Sequence, residues 1–188
     1  AVDRSFHSIS VEGHTSTNDS VILLANGASG ASAQGAGKAF ASALDEVAMD
    51  LAMAIVDDAE EATHRLTIDV VGTRTEAEAR LIAKAVADSP LVKTAVFGND
   101  PNWGRICSAA GYSGVDFAET DLSLKVNGVL LYDHGMPTSF DPVAEHQRMK
   151  DRREVDIELN FELGNARCRF WSCDLSTGYV RFNAEYTT

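Results

Sequence analysis

The sequence has no long apolar run and no concentration of positive charge, and each absence excludes a class of protein. The longest apolar runs are only a few residues, whereas about 18 are needed to cross a bilayer, so no membrane association is expected. Residues 1–8 lack the apolar segment of a secretory signal peptide. A formal charge of -12 without a Lys and Arg cluster argues against nucleic acid as a partner, because that binding depends on cations that displace counterions. Small molecules or proteins are better candidates as partners.

Cysteine is also scarce, and its spacing carries no sign of a disulfide or a metal site. The chain has Cys107, Cys168 and Cys173, an odd number with no CxxC pair. This usage is typical of a reducing compartment in which thiols serve as small core residues, and it predicts a cytoplasmic protein.

Common catalytic signatures are missing as well. No segment has the Gly-Lys-Ser/Thr ending of a Walker loop, and no GxGxxG follows a predicted strand. The five histidines are scattered and show no Ser-His-Asp order, so a conventional catalytic triad is not supported.

The first half of the chain alternates predicted strands and helices. The apolar run at residues 21–24 is typical of a strand buried on both faces, and the Gly, Ala and Ser residues of 27–37 predict a flexible connection. Apolar residues at helical spacing over 40–55 predict an amphipathic helix of about five turns. Alternation over residues 63–72 predicts another strand, and Thr75 followed by Glu78 is a capping-box start for the next helix. This order indicates an α/β arrangement.

Beyond residue 115 the pattern changes to hairpins. Asn127-Gly128 accepts the positive φ angles of a type I′ turn and joins two short apolar segments. Residues 154–163 alternate polar and apolar side chains without a miss, and Gly164-Asn165 follows them. A two-residue turn there would place Glu162 opposite Arg167 and Phe161 opposite Cys168, so we expect a second hairpin.

Two further segments point to particular roles. The stretch FGNDPNWGR places Trp103 among turn-forming residues, and we interpret 100–104 as the entry to a helix over 105–110, with the indole fixing the loop against the core. Glu60 and Glu61 follow the long helix, where the helix dipole disfavours negative charge. They are either a solvated acidic end or carboxylates that await a cationic ligand. The polar residues 14–19 either bind a ligand or satisfy the backbone of a turn.

Three blocks together resemble the ornithine acetyltransferase family. They are GHTSTNDSVILLANG at 13–27, LVKTAVFGNDPNWGRICSAAGYSG at 91–114 and WSCDLSTGYVRFNAEYTT at 171–188. The resemblance covers essentially the whole chain. It implies a layered α/β sandwich, with residues 1–90 as an α/β lobe that completes the active-site domain and residues 91–188 as a smaller C-terminal α+β lobe.

The resemblance also implies a reaction. Members of this family are made as one precursor that cuts itself into an α and a β chain, and the new N-terminal threonine of β carries acetyl from N-acetylornithine to glutamate as an ester. Such a nucleophile is activated by its own terminal amine. No metal or cofactor is needed. No residue of this chain matches the nucleophile, which is expected upstream of Ala1.

Carried over residue by residue, the resemblance implies a substrate site made of Glu60, Asn183 and Thr188. Glu60 would face the side-chain ammonium of ornithine, with Glu61 as a close rival, and Asn183 and Thr188 would contact the amino-acid substrate. The implied partners are the α chain of the same precursor, in an α2β2 heterotetramer, and N-acetylornithine, ornithine and glutamate.

Two alternative functions stay open at this point. One is a self-processing amidase or aminopeptidase with an N-terminal nucleophile, in which water is the acceptor. The other is an inactive amino-acid-binding subunit, suggested by the absence of a matching threonine.

Overall fold

A six-stranded mixed sheet organises the fold. The computed structural model describes residues 1–185, apart from the side chains of residues 33–36. The strands are β1 (Arg65–Thr73), β2 (Leu122–Val126), β3 (Val129–Asp133), β4 (Met136–Pro137), β5 (Glu154–Phe161) and β6 (Ala166–Cys173). Their order in the sheet is β4-β3-β2-β5-β1-β6, and only β1 and β5 are parallel neighbours.

Helices surround this sheet and complete the α/β arrangement that the sequence predicts. They are α1 (Ala33–Asp57), α2 (Glu76–Asp88), α3 (Pro90–Phe97), α4 (Trp103–Gly111), α5 (Pro142–Lys150) and α6 (Thr177–Glu185). Helix α2 packs on β1 and β6, and α4 packs on α2. The core between these layers consists of aliphatic side chains from every second strand residue, such as Leu66, Ile68 and Val70 of β1. No helix in the described part of the chain is long and apolar enough to span a membrane.

Several local predictions agree with the structure. Thr75 Oγ1 accepts a hydrogen bond from the Glu78 backbone N–H at 3.2 Å, so the predicted cap begins α2. Asn127-Gly128 connects β2 to β3, and both residues have positive φ angles. Asn102 Oδ1 accepts from the backbone N–H of Arg105 at 3.1 Å and thereby starts α4.

The predicted hairpin of β5 and β6 is wrong, because β1 lies between these strands. Phe161 is the last residue of β5 and does not pair with Cys168, whose partner is Val70 of β1. The backbone N–H groups of Leu163 and Gly164 donate to the Gly72 carbonyl oxygen at 2.9 and 2.8 Å. The connection therefore passes over the end of β1 instead of turning back on β5.

The prediction of a buried strand at residues 21–24 is also wrong for this chain. No strand forms there, and the exposed fractions of these four side chains range from 60% to 89%. A strand buried on both faces needs neighbouring layers, and none of the described residues covers this run. Helix α1 begins at Ala33, within the connection predicted at 27–37. Its apolar residues lie on two faces, since Ala52 and Val56 are buried while Phe40 and Leu51 are 55% exposed.

The division into lobes at residue 90 stays a prediction. One sheet contains strands from both sides of that position, because β1 is hydrogen bonded to β5 and to β6. The sheet edge formed by β6, together with the segment that follows it, carries the residues of interest for function.

Candidate active site

The structure brings together Glu60 and Asn183, which lie 123 positions apart in the sequence. Asn183 Nδ2 donates a hydrogen bond to Glu60 Oε2 at 3.0 Å. Glu60 lies in the turn between α1 and β1, and Asn183 lies on α6. Both side chains are exposed. Thr188, the third predicted site residue, lies outside the described residues.

The hydrogen bonds of Asn183 leave acceptor atoms to face a ligand. A second bond runs from Nδ2 to the Tyr179 carbonyl oxygen at 3.0 Å, so both protons of the amide nitrogen point to protein acceptors. The amide oxygen of Asn183 can only accept, as can the carboxylate of Glu60. An ammonium group carries three donors and no acceptor. A carboxylate beside an amide oxygen is therefore suited to a primary ammonium.

The acidic end of α1 contains two kinds of carboxylate. The negative charge of Asp57 is compensated within the protein, since Arg65 Nη1 lies 2.9 Å from Asp57 Oδ2. Arg153 also donates a hydrogen bond to the Asp57 backbone oxygen. No ion pair among the described residues includes Glu60 or Glu61. The two glutamates thus lie at an unfavourable end of a helix dipole without a protein cation.

Glu61 is held against the start of α6 by an unusual backbone. Its φ angle is 54°, in the left-handed region. An added Cβ at Gly178 would lie 2.6 Å from Glu61 Oε2 and 3.0 Å from Glu61 Cβ. Glycine at position 178 therefore allows the first turn of α6 to pack on Glu61, while Glu60 carries the contact to Asn183.

Tyr179 lies beside Glu60 and Asn183, and the sequence alone does not single it out. It lies one helical turn before Asn183 and is half-buried. Burial raises the pKa of its hydroxyl, and the negative charges of Glu12 and Glu60 raise it further. Its hydroxyl thus lies near enough to Glu12 and Glu60 to respond to their charges. The spacing of four residues in YVRFN is the signal that could have indicated it.

A second missed cluster lies directly behind this site, where Thr63 and His64 enclose Asp174. The backbone N–H of Thr63 donates to Asp174 Oδ1 at 2.9 Å, and the Thr63 hydroxyl donates to Oδ2. His64 Nδ1 lies 3.1 Å from the same Oδ2. The backbone N–H of Asp174 donates in return to the His64 carbonyl oxygen at 3.2 Å. His64 and Asp174 are 7% and 4% exposed, so the contact is buried.

The neighbours of His64 favour its charged form. Nε2 lies 3.4 Å from the Met149 carbonyl oxygen, and Nδ1 faces the Asp174 carboxylate, so acceptors lie at both ring nitrogens. The hydrogen bond to Asp174 raises the pKa of His64 above its ordinary value, although burial opposes the shift. Burial alone would raise the pKa of Asp174, but hydrogen bonds from His64 and Thr63 outweigh it and leave that pKa below its ordinary value.

The loop at 97–105 reaches His64 through Asn99, whose side chain raises the pKa of His64, whereas Trp103 of the same loop lies at another part of the sheet. Trp103 stacks on Tyr132 of β3 with ring centroids 5.4 Å apart and planes inclined by 21°. Both rings line a cavity of about 580 Å³ together with Cys107. Burial, together with the charge of Glu119, raises the pKa of the Cys107 thiol to about 12. The indole fixes the loop against the core, as the sequence predicts.

Comparison with known proteins decides the family. The model of the ArgJ family matches residues 1–188. The chain belongs to the ArgJ family. The resemblance to ornithine acetyltransferases that the three sequence blocks indicate is thereby confirmed.

ArgJ relatives match the chain over its full length. It is 43% identical over 206 residues to the "Arginine biosynthesis bifunctional protein ArgJ" of Thermosynechococcus vestitus, with 100% of this chain and 49% of that protein covered. It is 45% identical over 200 residues to the chloroplastic ArgJ of Citrullus lanatus, with 100% of this chain and 43% of that protein covered. The chain thus spans about half the length of these curated relatives.

A crystal structure of the ArgJ protein from Bacillus halodurans has the same fold. The TM-score is 0.92 at 35% sequence identity, and the match covers 98% of this chain and 89% of that chain. The predicted fold class, an α/β sandwich of this family, is confirmed.

Proposed function

We propose that this chain is part of the β chain of an acetyltransferase that moves acetyl from N-acetylornithine to glutamate. The acetyl group travels as an ester on a threonine that belongs to polypeptide outside the sequence of this chain. The observation that carries the proposal is the 3.0 Å hydrogen bond between Asn183 and Glu60, formed in a member of the ArgJ family. Curated ArgJ relatives are named for arginine biosynthesis, which supports an ornithine-derived substrate.

In this proposal Glu60 binds the side-chain ammonium of ornithine. No protein cation pairs with its carboxylate among the described residues, and a charge-assisted hydrogen bond to a primary ammonium would compensate it. The Asn183 amide oxygen accepts a second ammonium proton, and the Tyr179 ring covers the cation. Thr188 completes the contacts to the amino acid. The transfer requires no metal or cofactor.

The proposed partner is the α chain of the same precursor, in an α2β2 heterotetramer. Support comes from the exposed apolar surface, which includes residues 21–24 and the outer face of α1 at Phe40, Val47 and Leu51. Large apolar side chains exposed in groups are typical of a surface that a partner covers. A cytoplasmic location stays a prediction, and the relative from Citrullus lanatus is named as chloroplastic.

The test replaces Glu60 by glutamine in the complete enzyme that contains this chain. Because the neutral amide cannot compensate an ammonium, binding of N-acetylornithine should weaken by about 1–3 kcal/mol, or about 5- to 150-fold in KM. Steady-state kinetics with N-acetylornithine and glutamate measure the change. An unaltered KM and kcat would remove Glu60 from the site.

Two further variants make this test specific. Glu61→Gln decides between the neighbouring glutamates, and we expect a smaller effect because Glu61 faces Gly178 rather than Asn183. Asp58→Asn removes an exposed charge from the same acidic turn and should leave KM unchanged. Release of acetate at a rate independent of glutamate would instead support a hydrolase.

A further inference from the structure

The cluster of Thr63 with the buried side chains of His64 and Asp174 links the two segments that carry the candidate site. Glu60 lies three residues before Thr63 in the same turn. Asn183 lies nine residues after Asp174, on a helix whose first turn is capped by Ser176 Oγ, which accepts from the Tyr179 backbone N–H at 3.0 Å. The cluster therefore joins the base of the Glu60 turn to the base of α6.

Together with the hydrogen bond between Asn183 and Glu60, these contacts form a closed ring that joins the Glu60 turn to α6. One side of the ring is the hydrogen bond from Asn183 to Glu60 at 3.0 Å. The other side consists of four hydrogen bonds around Asp174, made by backbone and side-chain groups of Thr63 and His64. The exposed contact between Asn183 and Glu60 is easily exchanged for water, whereas the contact between the buried side chains of His64 and Asp174 is protected from it. The buried contacts, together with the packing of Gly178 on Glu61, therefore constrain the separation of Glu60 and Asn183.

We propose that His64 and Asp174 are a positioning pair, which holds the Glu60 turn and helix α6 at the separation needed to bind the substrate ammonium, and that this link weakens when His64 loses its proton. This inference rests on the proposed function for the identity of the substrate. The ring itself, and its dependence on protonation, do not depend on which amino acid binds.

The geometry explains why the neutral imidazole would hold the two segments less firmly. Nδ1 and Nε2 face the Asp174 carboxylate and the Met149 carbonyl oxygen, which accept and cannot donate. The Thr63 hydroxyl, 2.8 Å from Nδ1, already donates to Asp174, so its oxygen acts as an acceptor towards the ring. Loss of one proton would place a ring lone pair against an acceptor in a buried site, which costs free energy.

The pH window follows from the two pKa shifts. The pKa of Asp174 lies below its ordinary value of 3.8, and that of His64 lies above its ordinary value of 6.5. The ion pair is therefore complete between these limits. It is lost when the pH rises through the raised pKa of His64, and its contribution to stability disappears there.

Other ionisable groups near the pair have partners of their own. Among the described residues, Asp174 is the only group that shifts the pKa of His64 through its charge. On the neighbouring helices, Lys93 donates to backbone carbonyl oxygens, Glu145 pairs with Arg148, and His146 contacts the backbone oxygen of Asn99. Asn99 also contributes its side chain, which raises the pKa of His64. The alkaline transition is accordingly assigned to His64.

The first measurement is hydrogen exchange of the α6 amides in the complete enzyme without substrate, from about pH 5.5 to about pH 9. Results are expressed as protection factors, so that the intrinsic effect of pH cancels. In the wild type, protection of residues 177–185 should fall on the alkaline side of pH 6.5, the ordinary pKa of His64. In His64→Gln it should be low at every pH. A wild-type protection factor that is constant through this range would overturn the proposal, whatever the variant does.

The second measurement is the pH dependence of KM and kcat for N-acetylornithine. His64→Gln should raise KM by about 10- to 100-fold, the scale for misplacing a binding group by roughly 1 Å, and should flatten its alkaline rise. The effect on kcat should be smaller, because His64 does not contact the reacting atoms. The same KM-against-pH curve in the variant and the wild type would contradict the proposal.

The control variant is Asp69→Asn, which also breaks an ion pair between β1 and β6. Arg169 Nε and Nη2 lie 2.7 and 2.9 Å from the two carboxylate oxygens of Asp69, but this pair is exposed and remote from the Glu60 turn. We expect no change in α6 protection or in KM. Absence of acetyl transfer by the wild type would refute the proposed function alone, whereas the exchange measurement would still decide on the positioning pair.

Discussion

Replacement of Gly72 by alanine is expected to destabilise the protein severely. Gly72 has a φ angle of 84°, which disfavours any L side chain. An added Cβ would lie 1.8 Å from the Phe161 carbonyl oxygen and 2.8 Å from its carbonyl carbon. These are backbone atoms of β5, so the clash cannot be relieved by rotation of a side chain. The strands would have to separate, and the bonds that the Gly72 carbonyl accepts from Leu163 and Gly164 would be strained.

The size of the effect can be separated into two parts with Gly128→Ala as the matched control. Gly128 has a φ angle of 82°, but its added Cβ would meet no atom within 4 Å. The control therefore measures the backbone penalty alone, about 1–2 kcal/mol. Gly72→Ala adds displacement of a strand and should exceed about 4 kcal/mol in total, which is exceptional for one substitution.

Thermal unfolding of the complete enzyme tests this difference. At about 2–4 °C per kcal/mol, Tm should fall by roughly 2–8 °C for Gly128→Ala and by more than about 8 °C for Gly72→Ala. If Gly72→Ala fails to fold, limited proteolysis of the expressed chain beside the folded control gives the same answer. Equal Tm values for the two variants would refute the reasoning, since they share the backbone conformation and differ only in the clash.

Two other predictions concern the cavity beside α4. The pKa of the Cys107 thiol is raised to about 12, so iodoacetamide at about pH 8 should label Cys107 only after the protein unfolds. Mass spectrometry measures the labelling. Equal labelling of the native protein would show that the thiol is accessible. Native Cys107 stays neutral while the unfolded thiol ionises near 9.0, so its burial should also reduce stability above that pH. Trp103→Phe should lower the free energy of unfolding by about 0.5–1.5 kcal/mol, because phenylalanine stacks more weakly on Tyr132. Turnover per folded molecule should be retained. A large fall in kcat would assign the indole to the reaction.

Local structure was predictable wherever local chemistry determines it. Thr75 supplies the cap of α2, Asn127-Gly128 supplies the positive φ angles of its hairpin, and the alternation over 154–163 corresponds to β5. Each of these features depends on residues a few positions apart, which is the range over which propensity and periodicity act.

The sheet order was not predictable in the same way. Gly164-Asn165 has the composition of a hairpin turn, but insertion of β1 between β5 and β6 depends on pairing across about 90 residues. The run at 21–24 has the composition of a buried strand and finds no covering layer among the described residues.

The candidate site was likewise not predictable from local sequence patterns alone. Local sequence singles out Glu60 as an uncompensated carboxylate, but only the family resemblance connects it to Asn183, 123 positions away. His64 lies in the segment 63–72, whose alternation predicts only a strand, and its pairing with Asp174 joins segments 110 positions apart. A buried ion pair of this kind has no local signature.

The position of β1 between β5 and β6 also bears on biosynthesis. This strand ends at Thr73, and both of its hydrogen-bonded neighbours are translated much later, the second beginning at Ala166. At about 5–20 residues per second, a ribosome needs roughly 5–20 s to supply the missing edge. During that interval the nascent strand has two open sides, which makes it a natural client for chaperones.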